Sequence, residues 1–145
     1  MSETTLVKRL VKESSDEELL NLLNPLVAKW FKSQFKSFSA PQKRSLLSIH
    51  SRENTLVSAP TGSGKTLTSF LSVLNELVDS SIKGALPKDI VCVYISPLKA
   101  LNNDIEVNLL RPLKEMEELH GSSLGIKVDV RTGDTTTNER TKMLK

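Results

Sequence analysis

The sequence predicts an α/β fold: a parallel sheet with three strands present, preceded by short helices. Three observations carry this prediction. From residue 55 onward, strand-like and helix-like patterns alternate as β-α-β-α-β-α, and such alternation implies parallel strands joined by right-handed crossovers. The run 90–95 (IVCVYI) is apolar without a break, the pattern of a strand covered on both faces. A glycine-rich turn, Ala59 to Thr66, stands between the first strand and the helix after it.

Taken in order, Ser15-Asp16-Glu17-Glu18 fits a capping box that opens a helix over 17–23. Pro25 suits the first position of a second helix, because it has no N–H to leave unpaired there. A third helix starts near Pro41 and turns Leu46, Leu47 and Ile49 inward. Residues 55–57 (TLV) read as a short buried strand. A helix over 65–78 carries Leu67, Phe70, Leu71, Leu74, Leu77 and Val78 on one stripe. Residues 80–89 contain Gly84 and Pro87 and read as a loop. The strand 90–95 leads into a mainly helical stretch, 98–119, broken near Pro112. A turn over 121–125 precedes a third strand, 126–130, with Cys92 in the second strand expected to be an inert buried thiol. Thr136-x-x-Glu139 caps a last helix that Lys145 cuts off without a terminator, which reads as a truncation.

At 145 residues the chain suffices for one compact domain. One cysteine excludes a disulfide scaffold and a multi-cysteine zinc module. No apolar run is long enough to span a membrane, and the charged N-terminus is unlike a signal peptide, so a soluble cytoplasmic protein is expected. The net charge of +3 lies wholly in residues 1–53. No acid occurs between Glu18 and Glu53, while Lys29, Lys32, Lys36, Lys43, Arg44 and Arg52 do. Trp30, Phe31, Phe35 and Phe38 share that stretch. Basic and aromatic residues together can hold nucleic acid through phosphate attraction and base stacking. The competing reading is plainer: Phe31, Phe35 and Phe38 recur at helical spacing, as core residues do, with the lysines as the solvated face.

The segment 59–66 (APTGSGKT) meets a relaxed form of the phosphate-binding P-loop, with Ala59 where the pattern has its first glycine. Gly62 and Gly64 permit a tight turn with no Cβ to block an anion. Successive N–H groups from Thr61, Gly62, Ser63, Gly64, Lys65 and Thr66 can point at phosphate oxygens, and the helix N-terminus adds about half a positive charge. Lys65, the candidate catalytic residue, supplies a mobile ammonium for β and γ phosphates, and Thr66 a hydroxyl suited to Mg²⁺. The alternative is a strand-to-helix turn that holds no ligand.

With Ala59 first, this loop looks like the ATP site of superfamily 2 helicases. YISPLKALNND (94–104) follows the second predicted strand and VRTGDT (130–135) the third, with Trp30-Phe31 and Phe38-x-x-Pro41-Gln42 upstream. Together these resemble the N-terminal end of the large helicase-related (Lhr) family, from about Pro25 to the last residue. The resemblance implies residues 1–37 as a helical lead-in and 38–145 as an incomplete first RecA-like ATP-binding domain, ending before a DExH motif. Gln42 matches the glutamine that reads adenine; on its own it would read as a solvated helix residue. Ala40 stands where the family usually has a threonine. Pro97 and Lys99 fall in a motif that follows the phosphates of a single strand, and Arg131, Thr132 and Gly133 in a second backbone-contacting motif. Without the resemblance, the latter three read equally well as a capping turn with a solvated arginine.

The implied partner is single-stranded DNA, with RNA or a hybrid duplex as further candidates, and the implied cofactors are ATP and Mg²⁺. Hydrolysis in such enzymes needs the DExH motif and arginine fingers from a second domain, and the family's sheet sets the P-loop strand between strands that follow residue 145. The 145-residue chain is therefore expected to be loosely held and to show no sustained ATPase or unwinding activity. The alternative class is a non-catalytic nucleotide- or nucleic-acid-binding module that is stable as it stands. A P-loop small-molecule kinase gives no account of residues 94–104 or 130–135.

Overall fold

The computed structural model describes residues 12–97 and 104–142. Four helices come first: α1 (Asp16–Leu22), α2 (Pro25–Gln34), α3 (Ala40–His50) and α4 (Lys65–Ile82). A π-helical turn, Glu106–Leu110, runs directly into α5 (Arg111–His120), and α6 (Thr137–Lys142) is last.

The helix ends follow their local chemistry. Ser15 Oγ accepts from the Glu18 N–H at 3.1 Å, and the Ser15 N–H donates to Glu18 Oε2 at 2.7 Å, closing the expected capping box. Asn24 caps α2 by accepting from the Leu26 N–H at 3.0 Å, with Pro25 in the first turn. Thr136 and Glu139 close the same kind of box on α6, the Thr136 N–H reaching Glu139 Oε2 at 2.8 Å. The break expected near Pro112 is not a break: the π-helical turn runs without interruption into α5, and Pro112 sits in the first turn of that helix.

The core is helix against helix. Leu67, Leu71, Leu74 and Val78 of α4 meet Leu46 of α3, Val27 and Phe31 of α2, Leu19 of α1, and Leu113 and Met116 of α5. Each such side chain, when fully buried, contributes about 1.5–3 kcal/mol. Polar ties fix the helices to one another. The Asn24 N–H donates to Asn75 Oδ1 at 2.6 Å, and Asn24 Nδ2 to Asp79 Oδ1 at 3.1 Å, pinning the start of α2 to α4. Trp30 Nε1 donates to Glu115 Oε2 at 2.6 Å, joining α2 to α5.

The expected α/β fold with a three-stranded parallel sheet is not what the chain forms. Among the described residues there is no strand, and no backbone hydrogen bond joins residues 53–60, 90–97 and 123–132 to one another. Leu56 is 95% exposed and Ile95 88%. A strand is stable only when its N–H and C=O groups meet a neighbouring ladder, and a run apolar on both sides needs cover on both faces. The described residues supply neither. A trace of the pleat survives: burial alternates along 126–130, with Ile126, Val128 and Val130 half-buried and Lys127 and Asp129 exposed.

Smaller expectations shift with it. Cys92 is exposed rather than buried, and Leu47 faces solvent while Leu46 is fully buried. Phe31, Phe35 and Phe38 do not share one helix face, because α2 ends at Gln34. Phe38 reaches Phe31 by the turn of the chain into α3, and the rings stack with centroids 4.0 Å apart. No helix among the described residues is long and apolar enough to cross a membrane.

Candidate functional site

The site is built on the loop entering α4. Gly62 (φ +78°) and Gly64 (φ +88°) both occupy the left-handed region, which costs a residue with a Cβ about 1–2 kcal/mol. The Ser63 N–H donates back to the Pro60 carbonyl at 3.3 Å, closing the turn. Gly64 is the N-cap, and its carbonyl accepts from the Thr68 N–H at 3.0 Å and from Thr68 Oγ1 at 2.8 Å. The N-terminal amides of an 18-residue helix, which have no partner within the helix, thus lie at the turn.

A Cβ built at Gly62 meets nothing within 4 Å, so the outer side of the turn faces open space. That opening, a positive helix end and an adjacent ammonium suit a polyphosphate. Lys65 is the first residue of α4, and its Nζ donates to the carbonyls of Ala59 and Pro60, the latter at 2.8 Å. The lysine therefore lies back along its own loop. Thr66, the second residue of the helix, is half-buried.

The other wall is α3. Gln42 is only 4% exposed, and its Oε1 accepts from the Ser39 N–H at 2.8 Å. Its Nε2 lies 3.4 Å from where a Cβ on Gly64 would stand, and Ser39 Oγ lies 3.1 Å from that point. Gln42 and Lys65, separate in sequence, therefore flank one loop. Burial of Gln42 departs from the solvated helix residue that it would be without a P-loop beside it. Ser39 was not expected, although its spacing from Gln42, Ser-x-x-Gln, is the sequence signature of a capping box. The hydroxyl at this cap is thus on Ser39, one residue before Ala40. Ser39 Oγ and Ser63 Oγ are both buried without a hydrogen-bond partner, a state that costs about 1–3 kcal/mol per group.

The expected nucleic-acid residues are not drawn into this cluster. Pro97 is exposed at the end of the unpaired segment 90–97, and Lys99 lies outside the described residues. Arg131 and Gly133 are exposed and Thr132 half-buried. They sit in a turn that satisfies itself: the Thr132 N–H donates to Thr135 Oγ1 at 2.8 Å, and Arg140 Nε donates to the Thr135 carbonyl at 3.0 Å. Tyr94 ties the segment 90–97 to the helices. Its ring lies 4.7 Å from that of Phe70, and its hydroxyl donates to Asp104 Oδ2 at 3.1 Å. Burial pushes its phenol above the ordinary range, Asp104 adding to the rise and Ser96 opposing it.

Comparison with known proteins agrees with the loop. The family model described as DEAD/DEAH box helicase matches residues 39–145. ATP-dependent helicase Lhr-Core of Sulfolobus acidocaldarius is 49% identical over 130 residues, covering 90% of this chain and 15% of that protein. Its counterpart from Methanocaldococcus jannaschii is 46% identical over 144 residues, covering 96% and 17%. The Lhr helicase/uracil glycosylase of Escherichia coli is 36% identical over 133 residues, covering 86% and 9%. The chain thus spans less than a fifth of the length of these curated relatives. No solved structure matches it.

Proposed function

The chain belongs to the DEAD/DEAH box helicase family, and from that membership we propose that it is the N-terminal, ATP-binding part of an ATP-dependent DNA helicase of the Lhr type. The observation that supports this most directly is the convergence of Gln42 and Lys65 on the glycine turn 62–64, open to solvent at Gly62.

In this reading, the amides of residues 61–66 and the α4 N-terminus bind the ATP phosphates. Lys65 leaves the carbonyls of Ala59 and Pro60 and places its ammonium on the β and γ phosphates. Thr66 holds the accompanying Mg²⁺. Gln42 orients the adenine through its amide, which can donate to N7 and accept from the N6 amino group. In the parent enzyme, hydrolysis of that ATP would supply the free energy for movement along a single strand. Pro97, Lys99, Arg131, Thr132 and Gly133 contact that strand's backbone, DNA being the preferred partner. The sequence contains no Asp-Glu-x-His, so this chain binds Mg-ATP without sustained turnover.

Titration of the 145-residue chain with a fluorescent ATP analogue and Mg²⁺ tests the reading. Saturable binding below millimolar nucleotide is expected, weakened at least tenfold in Lys65→Ala, since a hydrogen bond to a charged group is worth about 1.5–3 kcal/mol. No binding at millimolar nucleotide would overturn the phosphate site. DNA-stimulated turnover that disappears in Lys65→Ala would overturn the predicted inactivity.

A further inference from the structure

The fold sorts the basic residues of the acid-free stretch into two groups. Lys43 pairs with Asp16 at 3.1 Å, Arg44 with Glu13 at 2.9 Å, and Arg52 with Glu76 at 3.2 Å. Lys29, Lys32 and Lys36 are exposed and form no ion pair among the described residues. Lys29 and Lys32, three apart on α2, share a face, and it is the face turned away from the buried Leu26, Val27, Trp30 and Phe31. Lys36 follows two residues beyond the end of α2. The carboxylate that α5 brings to α2, Glu115, is engaged on the inner side by Trp30 Nε1.

Phe35 lies between Lys32 and Lys36 in the chain. Phe31 and Phe38 are buried, whereas Phe35 is 40% exposed. Its ring is braced from within by Phe31 at 5.0 Å and by Trp30, edge-on, at 6.1 Å. A flat ring fixed on one side and open on the other, in a stretch whose three exposed lysines have no ion pair among the described residues, has the chemistry of a stacking platform beside a phosphate-attracting surface.

We propose that Lys29, Lys32, Phe35 and Lys36 form a docking face for single-stranded nucleic acid, the lysines meeting phosphates and the Phe35 ring meeting an unstacked base. Charge complementarity selects a polyanion, and the braced ring selects one with exposed planar bases, which a duplex keeps within its stack. Lys36 is three residues from Ser39, which touches the Gly64 turn. The face thus comes to within about 11 Å of chain from the nucleotide loop. This inference rests on nucleic acid as the partner but uses none of Pro97, Lys99, Arg131, Thr132 or Gly133.

The test is fluorescence anisotropy of the 145-residue chain with labelled oligo(dT) over a salt series, with Mg-ATP affinity measured in parallel. The combined variant Lys29→Gln, Lys32→Gln, Lys36→Gln should weaken oligo(dT) binding at least tenfold. It should also lower the slope of log affinity against log salt by about 2, at roughly 0.7 per lost phosphate contact. Phe35→Leu should weaken oligo(dT) about fivefold or more with the slope unchanged, and leave a duplex of equal length unaffected. Mg-ATP affinity should stay unchanged in both variants. If the wild-type chain binds oligo(dT) and the triple-lysine variant keeps its affinity and slope, the docking face is overturned while a nucleic-acid partner stands. If the variant instead loses binding to anionic vesicles or an acidic peptide, with oligo(dT) unaffected, the face is again overturned. A wild-type chain that binds no oligonucleotide removes both.

Discussion

Gln42 Oε1 accepts the Ser39 N–H at 2.8 Å, so its side-chain amide is held by the N-cap of its own helix. Its Nε2 is thereby aimed at Gly64, the residue from which α4 begins. The two helices that frame the candidate site meet at a point where one residue has no side chain.

Gly64→Ala should therefore be more damaging than Gly62→Ala. Both positions have positive φ, and each alanine should cost about 1–2 kcal/mol of stability for that reason alone. At Gly64 the new methyl also meets Ser39 Oγ at 3.1 Å, whereas at Gly62 it meets nothing. Thermal melts should show the larger loss at Gly64, and Ser39→Ala in the same chain should recover part of it. Equal losses at the two glycines would show that α3 does not press on the loop.

Two serines at equivalent helix starts should behave in opposite ways. Ser15 Oγ accepts the Glu18 N–H, so Ser15→Ala should cost about 0.5–2 kcal/mol, the usual worth of an N-cap. Ser39 Oγ is buried with no partner, so Ser39→Ala should leave the melting temperature unchanged or raise it. Chemical denaturation of the two variants side by side decides the matter.

Asn75 is buried in α4 and accepts the Asn24 N–H at 2.6 Å. Asn75→Ala strands that donor at the start of α2 and should cost about 1–3 kcal/mol. Amide hydrogen exchange at Leu26 and Val27 should accelerate with it. A variant with native stability would show that the α2–α4 junction is held by apolar contact alone.

Acid should weaken the fold through its caps and ties. The hydrogen bond from Lys83, and then that from Asn24, holds the Asp79 carboxyl below its ordinary value of 3.8. The backbone and side chain of Ser15 hold Glu18 below 4.5. Because both pKa values are depressed in the folded state, the unfolded chain takes up protons first as pH falls. The contribution is complete above those ordinary values and is lost as pH drops through the lower native ones. The melting temperature should fall below about pH 4.5, with a shallower acid slope in Asp79→Asn. An identical acid profile in that variant would remove Asp79 from the account.

The sequence by itself determined the features that act over a few residues. Capping at Ser15 and Thr136, the proline at the start of α2, the stripe of α4 and the glycine turn before Lys65 each rest on contacts within about one helical turn, and each was legible as spacing. The family was legible for the same reason, because its signatures are short contiguous runs such as 59–66 and 94–104. Tertiary structure alone decided the rest. Whether 55–57, 90–95 and 126–130 become a sheet depends on ladder partners that local pattern cannot supply, and among the described residues these segments are unpaired. The burial of Gln42 against Gly64, the pairing of Lys43, Arg44 and Arg52 but, among the described residues, not of Lys29, Lys32 and Lys36, and the exposure of Phe35 beside a buried Phe31 were decided in the same way. Each depends on which distant surface the chain brings alongside, and that is a property of packing rather than of spacing.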